Sequence, residues 1–145
     1  MIPNSGMAVS IDVGQERFIH PPDKTTISKR LFFWAMANTY GMKGLPHQSP
    51  VYKSMKIDKD QITVSFSNAE NGLSAFGNDL SAFEIAGEDK VFYPAKAKII
   101  RGGVRVQNDN VKSPVALRYA FKDWVVGDLF NSEGFPASPF RTDDW

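Results

Sequence analysis

The spacing of apolar residues changes once along the chain, across the segment Gly41–Pro50. Before this segment, apolar residues recur at helical spacing, and beyond it they alternate with polar residues. Gly41–Pro50 itself has no period and is rich in Gly, Pro, His and Ser, as is typical of a linker. A helix and a set of half-buried strands need different packing partners. The sequence therefore predicts an α+β, mainly β protein with two regions, residues 1–44 and residues 45–145.

The alternating segments of the second region predict strands with one face in the core and one in solvent. These segments are Ile62–Phe66, Ala95–Ile99, Val104–Val106 and Val115–Phe121. Residues that favour tight turns separate them, as in Arg101–Gly103. Short strands at such regular spacing indicate a jelly-roll-like β-sandwich.

The last residues, from Gly127 onward, show no clear period. We expect an irregular tail that aromatic side chains pin to the sandwich. The candidates are Phe130, Phe135, Phe140 and Trp145.

The first region begins with a short apolar run, Met7–Ile11, between two glycines. Such a run is typical of a strand buried on both faces. A strand of this kind needs neighbouring strands, and nothing else in the first fifty residues could supply them. The run therefore predicts that the N-terminal region belongs to a larger sheet.

A helix over residues 24–40 is predicted next. Asp23 can accept hydrogen bonds from the free amides of its first turn, and Gly41 is a natural stop. Residues at helical spacing form one stripe of the helix, and Lys24, Lys29 and Arg30 lie off this stripe. The stripe consists of Ile27, Leu31, Trp34, Ala35 and Asn38.

Composition excludes several classes of function. The net charge is +1 and the lysines are scattered among acids, so the surface lacks the basic stripe that binds nucleic acid. No apolar run approaches the ~20 residues that span a bilayer, so no membrane partner is expected. There is no cysteine, no zinc-ligand spacing, no phosphate loop and no nucleotide fingerprint. We therefore expect no cofactor and no metal. His47 is interpreted as a solvated residue of the linker, and the pair Asp143–Asp144 as turn or terminal acids.

Three segments carry a resemblance to a known family. They are the loop Phe18–Lys24 that precedes the helix, the run Gly6–Gly14 that leads into it, and the C-terminal stretch Glu133–Trp145. Together they resemble the C-terminal part of the sialate O-acetylesterase family, a branch of the SGNH hydrolases, from about Asn4 to Trp145. The resemblance implies that residues 1–44 are a strand–loop–helix remnant of a flavodoxin-like SGNH hydrolase domain. It also implies hydrolysis of acetyl esters on sugars, in a family whose members are often periplasmic or secreted; the chain shows no secretion signal.

His20 is the candidate catalytic residue. Taken by itself, a lone histidine in a loop is more often a surface residue. The resemblance implies instead that His20 takes the proton of a serine hydroxyl and returns it to the leaving sugar oxygen. Family members carry an aspartate two residues before this histidine, whereas this chain has Phe18. The nearest upstream carboxylates are Asp12 and Glu16, and Glu16 is interpreted as a solvated turn residue.

The serine nucleophile of the family lies in a Gly-Gln-Ser-Asn type block that this sequence lacks. A histidine without an activated serine is a base with nothing to deprotonate. We therefore expect the chain alone to be inactive. Its expected partners are an acetylated glycan and either a missing N-terminal hydrolase segment or a second copy of the chain. A truncated gene, a split gene and an engineered fragment all remain open.

Two further residues are candidates for substrate binding. Trp124, in a loop, could stack on a sugar ring, whereas Trp34 and Phe121 are interpreted as packing residues. Arg118 could contact the hydrolase sheet or the substrate, or could be an ordinary solvent-facing arginine. The alternative function is a non-catalytic carbohydrate-binding or docking module, or a domain that only braces the hydrolase. We also expect association through Met7–Ile11 and the helix stripe, because both would be uncovered.

Overall fold

A computed structural model describes residues 5–145; the first four residues of the predicted N-terminal region, and with them Asn4 where the resemblance begins, lie outside the described residues. The described chain has one helix, α1 (Lys24–Asn38), and otherwise strands. The strands are β1 (Val51–Asp58), β2 (Gln61–Ser67), β3 (Leu73–Ser74), β4 (Phe83–Ala86), β5 (Phe92–Pro94), β6 (Lys96–Ile100), β7 (Gly103–Gln107), β8 (Ala116–Tyr119), β9 (Phe130–Asn131) and β10 (Phe140–Arg141). The mainly β architecture with one helix is as predicted.

Two four-stranded antiparallel sheets share one hydrophobic core. Their strand orders are β1-β2-β7-β6 and β10-β8-β4-β5, and β3 pairs with β9 in a separate two-stranded ribbon. The first sheet buries apolar side chains from β2 and β7, and the second buries them from β4 and β8. The central members of this core are Ile62, Val64, Val104, Val106, Phe83, Ile85, Leu117 and Tyr119. We refer to residues 45–145 as the two-sheet body.

The predicted strands form where apolar and polar residues alternate. In β2, Ile62 and Val64 are buried and pair with Val106 and Val104 of β7. The Arg101–Gly103 turn joins β6 to β7, with Gly102 at φ +88°, where a side chain would be strained. Turn chemistry and alternation together fix this register.

Phe121 does not continue the buried face of β8, so its interpretation as a packing residue is wrong. The strand ends at Tyr119, and Ala120 takes a positive φ of +49° while donating its amide to the carbonyl of Ala82. This turn breaks the alternation, and Phe121 is left 45% exposed.

The C-terminal tail is more regular than predicted, because it contributes β9 and β10. The predicted pinning by aromatic residues is correct for Phe140 and Phe135. The Phe140 ring stacks on Tyr52 of the other sheet at 4.9 Å between centroids, and Phe135 is buried. The tail therefore closes the end of the body between the two sheets.

Residues 7–11 do not form the predicted strand. Val9 is buried, but Met7 is exposed and Ile11 lies in a turn. No strand of the described chain is available to pair with this run, so its backbone stays irregular. We refer to residues 5–14 as the N-terminal arm.

Helix α1 begins where predicted. The carboxylate of Asp23 accepts hydrogen bonds from the Thr26 amide at 2.9 Å and the Thr26 hydroxyl at 2.6 Å. These bonds hold the pKa of Asp23 below its usual value. The helix ends at Asn38, two residues before the predicted end.

The predicted stripe of α1 is not fully buried, and the helix buries a residue outside it. Leu31 and Asn38 are not buried, and the one buried residue of the helix is Arg30, which had been placed on the polar side. No residue of α1 contributes to the core of the two-sheet body. The helix therefore packs chiefly on the N-terminal arm and leaves much apolar surface in solvent.

Candidate functional site

The loop that carries His20 lies between the N-terminal arm and α1. Gln15 and Phe18 form an isolated antiparallel bridge, and the Phe18 amide donates to the Gln15 carbonyl at 3.2 Å. This tight turn projects Phe18, Ile19 and His20 into solvent. Over residues 5–145, the His20 ring has no hydrogen bond or ion pair. The structure thus leaves this imidazole accessible to a partner from outside the described chain.

Neither upstream carboxylate orients His20. Glu16 is exposed in the turn, as predicted. Asp12 is held by Arg30 in a two-pronged ion pair, with Nη1–Oδ1 and Nη2–Oδ2 distances of 2.7 and 2.6 Å. The same guanidinium donates to the carbonyl of Val9 at 2.7 Å. The carboxylate of Asp12 is therefore committed to the arm and helix.

The Asp12–Arg30 pair was not foreseen from the sequence. Both side chains are largely buried, with 14% and 8% exposure respectively. The two residues are eighteen positions apart and neither matches a motif, so only their opposite charges could have suggested the pair. Its geometry joins the arm to α1 through charge-assisted hydrogen bonds.

The arm also contacts the two-sheet body, next to Trp124. The Gly127 amide donates to the Ile11 carbonyl at 3.2 Å. A Cβ at Gly127 would lie only 2.5 Å from Cγ2 of Ile11, so this close approach requires glycine. The arm thereby becomes one wall of a groove whose other wall is the loop 120–125.

This groove has a volume of about 510 Å³. Its walls carry Trp124 and Phe121, and the polar groups of Ser10, Lys122 and Asp123 line it as well. Trp124 lies in a loop, as predicted, and is 38% exposed. The structure thus brings Trp124 to a concave surface shared with the arm that leads to His20.

Arg118 is engaged within the two-sheet body. Its guanidinium donates to both carboxylate oxygens of Asp143, at 3.0 and 2.6 Å, and lies 3.9 Å from the centroid of the Phe92 ring. The side chain of Asp143 is 0% exposed. Asp143 is therefore a terminal acid that belongs to a buried ion pair, and the interpretation of Arg118 as an ordinary solvent-facing residue is wrong. The predicted roles of Arg118 toward a substrate or a hydrolase sheet stay predictions.

The ion pair shifts the pKa values of both partners. The hydrogen bond from Arg118 holds the pKa of Asp143 below its usual value, although burial acts in the opposite direction. The same hydrogen bond raises the pKa of Arg118. Both groups remain charged at neutral pH, and the pair ties the C-terminal tail to β8.

His47, the second histidine, lies in the segment between the two regions. Its Nδ1 is 2.8 Å from the carbonyl oxygen of Leu45. It lines a separate polar pocket of about 420 Å³ together with Glu70, Asn71 and Glu133. His47 and His20 therefore belong to different sites.

Within residues 5–145, no three potential metal ligands among the His, Asp and Glu side chains come together. The described portion of the chain also contains no helix that is both long and apolar enough to cross a bilayer.

Comparisons with known proteins place these features in context. No model of a known protein family matches the chain. The sialate O-acetylesterase of Mus musculus is 40% identical over 60 residues, which are 39% of this chain and 11% of that protein. The crystal structure of a carbohydrate acetylesterase from Xanthomonas citri matches with a TM-score of 0.88 and 37% identity, over 95% of this chain and 32% of the other.

The chain thus spans a third or less of the length of these two relatives. The structural match covers 95% of its residues. By sequence the chain is similar to a sialate O-acetylesterase, and by sequence and fold it is similar to a carbohydrate acetylesterase, in agreement with the resemblance noted in its sequence.

Proposed function

We propose that the chain is the C-terminal portion of a carbohydrate O-acetylesterase, an enzyme that hydrolyses O-acetyl esters on sugars. The observation that carries this proposal is the 37% identity, over 95% of the chain, to a carbohydrate acetylesterase. Residues 1–44 would be the remnant of an SGNH hydrolase domain, and residues 45–145 a jelly-roll-like sandwich attached to it. The acetylated glycan would be its substrate.

In this proposal His20 is the general base. Its exposed ring would meet a serine hydroxyl that a missing N-terminal hydrolase segment, or a second copy of the chain, provides. His20 would accept the serine proton as the oxygen attacks the acetyl carbonyl, and would then donate it to the departing sugar oxygen. The chain alone would be inactive, because it lacks the serine block of the family.

The exposed surface of α1 supports a partner for the N-terminal region. Leu31 and Phe32 are 50% and 56% exposed, and the isolated helix is only 15 residues long. Helices of this length are marginal in water unless an apolar face packs on something. A hydrolase segment that covers these residues would also supply strands for the unpaired run Met7–Ile11.

A chimera tests the role of His20. The matching third of the Xanthomonas citri enzyme is replaced by this chain, and acetate release from an acetylated sugar is measured. We expect activity in the chimera and its loss on His20→Ala, by about 10²-fold, because triad effects are not additive and the orienting aspartate of the family is already absent. His47→Ala is the matched control, because it changes the other histidine and should leave turnover unchanged.

Two outcomes would contradict the proposal. One is a folded chimera that releases no acetate while the unmodified relative does. The other is an active chimera that keeps its turnover after His20→Ala.

The missing acid partner of His20 gives a second test. Family members carry an aspartate at the position of Phe18, and Asp12 is already occupied by Arg30. Phe18 is 66% exposed, so Phe18→Asp should fold normally. An aspartate that orients the imidazole is worth up to about 10⁴ in turnover. We therefore expect Phe18→Asp to raise kcat of the chimera, whereas an unchanged kcat would mean that another group already orients His20.

The alternative function, a non-catalytic carbohydrate-binding module, rests on Trp124. Its exposed ring lies in a groove, which is the arrangement expected of a sugar-binding site. Glycan binding by the chain, together with chimeras that never release acetate, would favour this function over the first.

A further inference from the structure

The groove between the N-terminal arm and the loop 120–125 has features that the catalytic proposal does not use. One wall comes from the body and contains Trp124 and Phe121; the other comes from the arm and contains Ser10, Ile11 and Gly14. Its volume of about 510 Å³ lies within the range of small-molecule sites. The groove therefore exists only when the arm lies against the body.

The chemistry of the walls suits a sugar ring. A pyranose has faces of C–H groups that pack on an aromatic ring and an equator of hydroxyls that need hydrogen-bond partners. Trp124 is 38% exposed, and Lys122 and Asp123 line the groove with it as a cationic donor and an anionic acceptor, the ammonium of Lys122 also lying 3.1 Å from Oε1 of Glu84. Aromatic stacking combined with a few polar groups is the usual way to fix a ligand's orientation.

Gly14 lines the groove beside atoms Cζ3 and Cη2 of the Trp124 ring. A Cβ at this position would lie 3.4 Å from Cζ3 of Trp124 and 3.7 Å from Cη2. Its backbone is not in the left-handed region, so a side chain there is conformationally allowed but would occupy the groove.

The arm wall is held from behind by the ion pair of Asp12 with Arg30. The pair fixes residues 9–12 through the carboxylate of Asp12 and the carbonyl of Val9, while the Ile11 carbonyl binds the Gly127 amide on the other side. Arg30 lies on α1, so the helix, the arm and the body are linked in series. The groove wall thus depends on a polar contact that does not face the groove.

We infer that this groove binds one pyranose ring of the glycan by stacking on Trp124, and that Asp12 and Arg30 act as positioning residues for its arm wall. The inference rests on the proposed function for the class of ligand. It adds a binding site between the two-sheet body and the arm, and the same arm continues along the chain into the loop that carries His20.

The test uses the 145-residue chain and two probes, N-acetylneuraminic acid and the neutral disaccharide lactose. The indole N–H signals of the three tryptophans are followed by NMR during each titration, after assignment with single Trp→Phe variants. We expect at least one probe to shift the Trp124 signal saturably. Trp145 is the matched control, because it is 40% exposed but packs beside Phe92 and does not line the groove.

Two variants change the groove while they keep the Trp124 ring and the fold of the two-sheet body. Gly14→Val keeps Trp124 and fills the space before it, so it should abolish the titration shift. Asp12→Asn should weaken binding about tenfold if it leaves the arm docked in about a tenth of the molecules. The result from either variant counts only if the NMR signals of the two-sheet body are the same as in the natural chain.

The inference is overturned if neither probe shifts Trp124, if Trp145 shifts instead, or if Gly14→Val binds as tightly as the natural chain. These results are independent of catalysis. Binding at Trp124 with no acetate release in the chimera would refute the esterase proposal and support sugar binding in the groove. Acetate release by the chimera without binding at Trp124 would support the esterase proposal and refute sugar binding in the groove.

Discussion

The N-terminal region and the two-sheet body are stabilised by different means. The body has its own core, in which side chains from β2, β4, β7 and β8 are fully buried between two sheets. The N-terminal region places one buried valine and one buried arginine at its centre, and its helix leaves phenylalanine and leucine side chains in solvent. A region with a core of its own can fold independently. The arm is held by the Asp12–Arg30 pair, by a hydrogen bond to Gly127 and by Ile11 against the core of the body, and α1 leaves apolar side chains for a further surface to cover.

Replacing a buried phenylalanine should give the largest difference between the two regions. Phe83 is 0% exposed and packs on Tyr119 with 4.7 Å between ring centroids. Phe83→Ala should lower the free energy of unfolding by about 3–5 kcal/mol. Phe32→Ala, on the exposed face of α1, should change it by less than about 0.5 kcal/mol. Chemical denaturation followed by the signal of the sheets measures both, and equal effects would contradict the comparison.

Removing a carboxylate from the body should have the next largest effect. Asp143→Asn weakens the two charge-assisted bonds from Arg118 and leaves the guanidinium without its anion. We expect a loss of about 2 kcal/mol in the free energy of unfolding, as for hydrogen bonds to charged groups. Thermal unfolding would detect this as a lower Tm. An unchanged Tm would show that the Arg118–Asp143 pair does not contribute to the stability of the body.

The same pair predicts a dependence of stability on pH. Because the pKa of Asp143 is lower in the folded state than in the unfolded chain, its contribution is fully present above the unfolded pKa of about 3.9. The contribution is lost as pH falls below about 4 and through the folded pKa. The difference in stability between the natural chain and Asp143→Asn should therefore shrink in this acidic range and stay constant from about pH 5 to 7. A difference that stays constant down to about pH 2 would contradict the assignment.

The sequence predicts the strands of this fold where apolar and polar residues alternate without interruption, and misses them elsewhere. Strand β2 was predicted because Ile62 and Val64 alternate with residues that reach solvent. Strand β1 was missed because a bulge between Tyr52 and Ser54 shifts its register, which breaks the alternation at an edge strand. Strand β4 was missed because it lies inside its sheet and buries residues on both faces.

The candidate site was predicted less completely than the fold. Trp124 could be placed in a loop from sequence, but its neighbours in the groove, such as Ile11 and Gly14, lie at the other end of the chain. The Asp12–Arg30 pair has no local signature either, because it depends on the path of the arm across the helix. Contacts between distant segments are what a single sequence, read by local pattern, cannot supply.

Breaking the ion pair of the N-terminal region should have a local effect only. Asp12→Asn removes the charge that Arg30 binds, yet neither residue belongs to the shared core. We expect an unchanged Tm for the body and faster hydrogen exchange of the Gly127 amide, whose acceptor is the carbonyl of Ile11. Asp143→Asn is the matched comparison, because the same substitution is expected to lower Tm there. A fall in Tm on Asp12→Asn as large as that on Asp143→Asn would mean that the arm is an integral element of the body.

The smallest effect is expected at the start of α1. Asp23→Ala removes the acceptor of the Thr26 amide and hydroxyl, so the first turn of the helix should fray. Asp23→Asn keeps an acceptor oxygen and should restore the turn. Hydrogen exchange at Thr26 should rise for alanine and return toward the natural rate for asparagine, with the sheets unaffected in both. Because α1 contributes nothing to the core, a change in the unfolding midpoint of the sheets on Asp23→Ala would show that the helix and the body fold as one cooperative unit, which is the opposite of what their packing indicates.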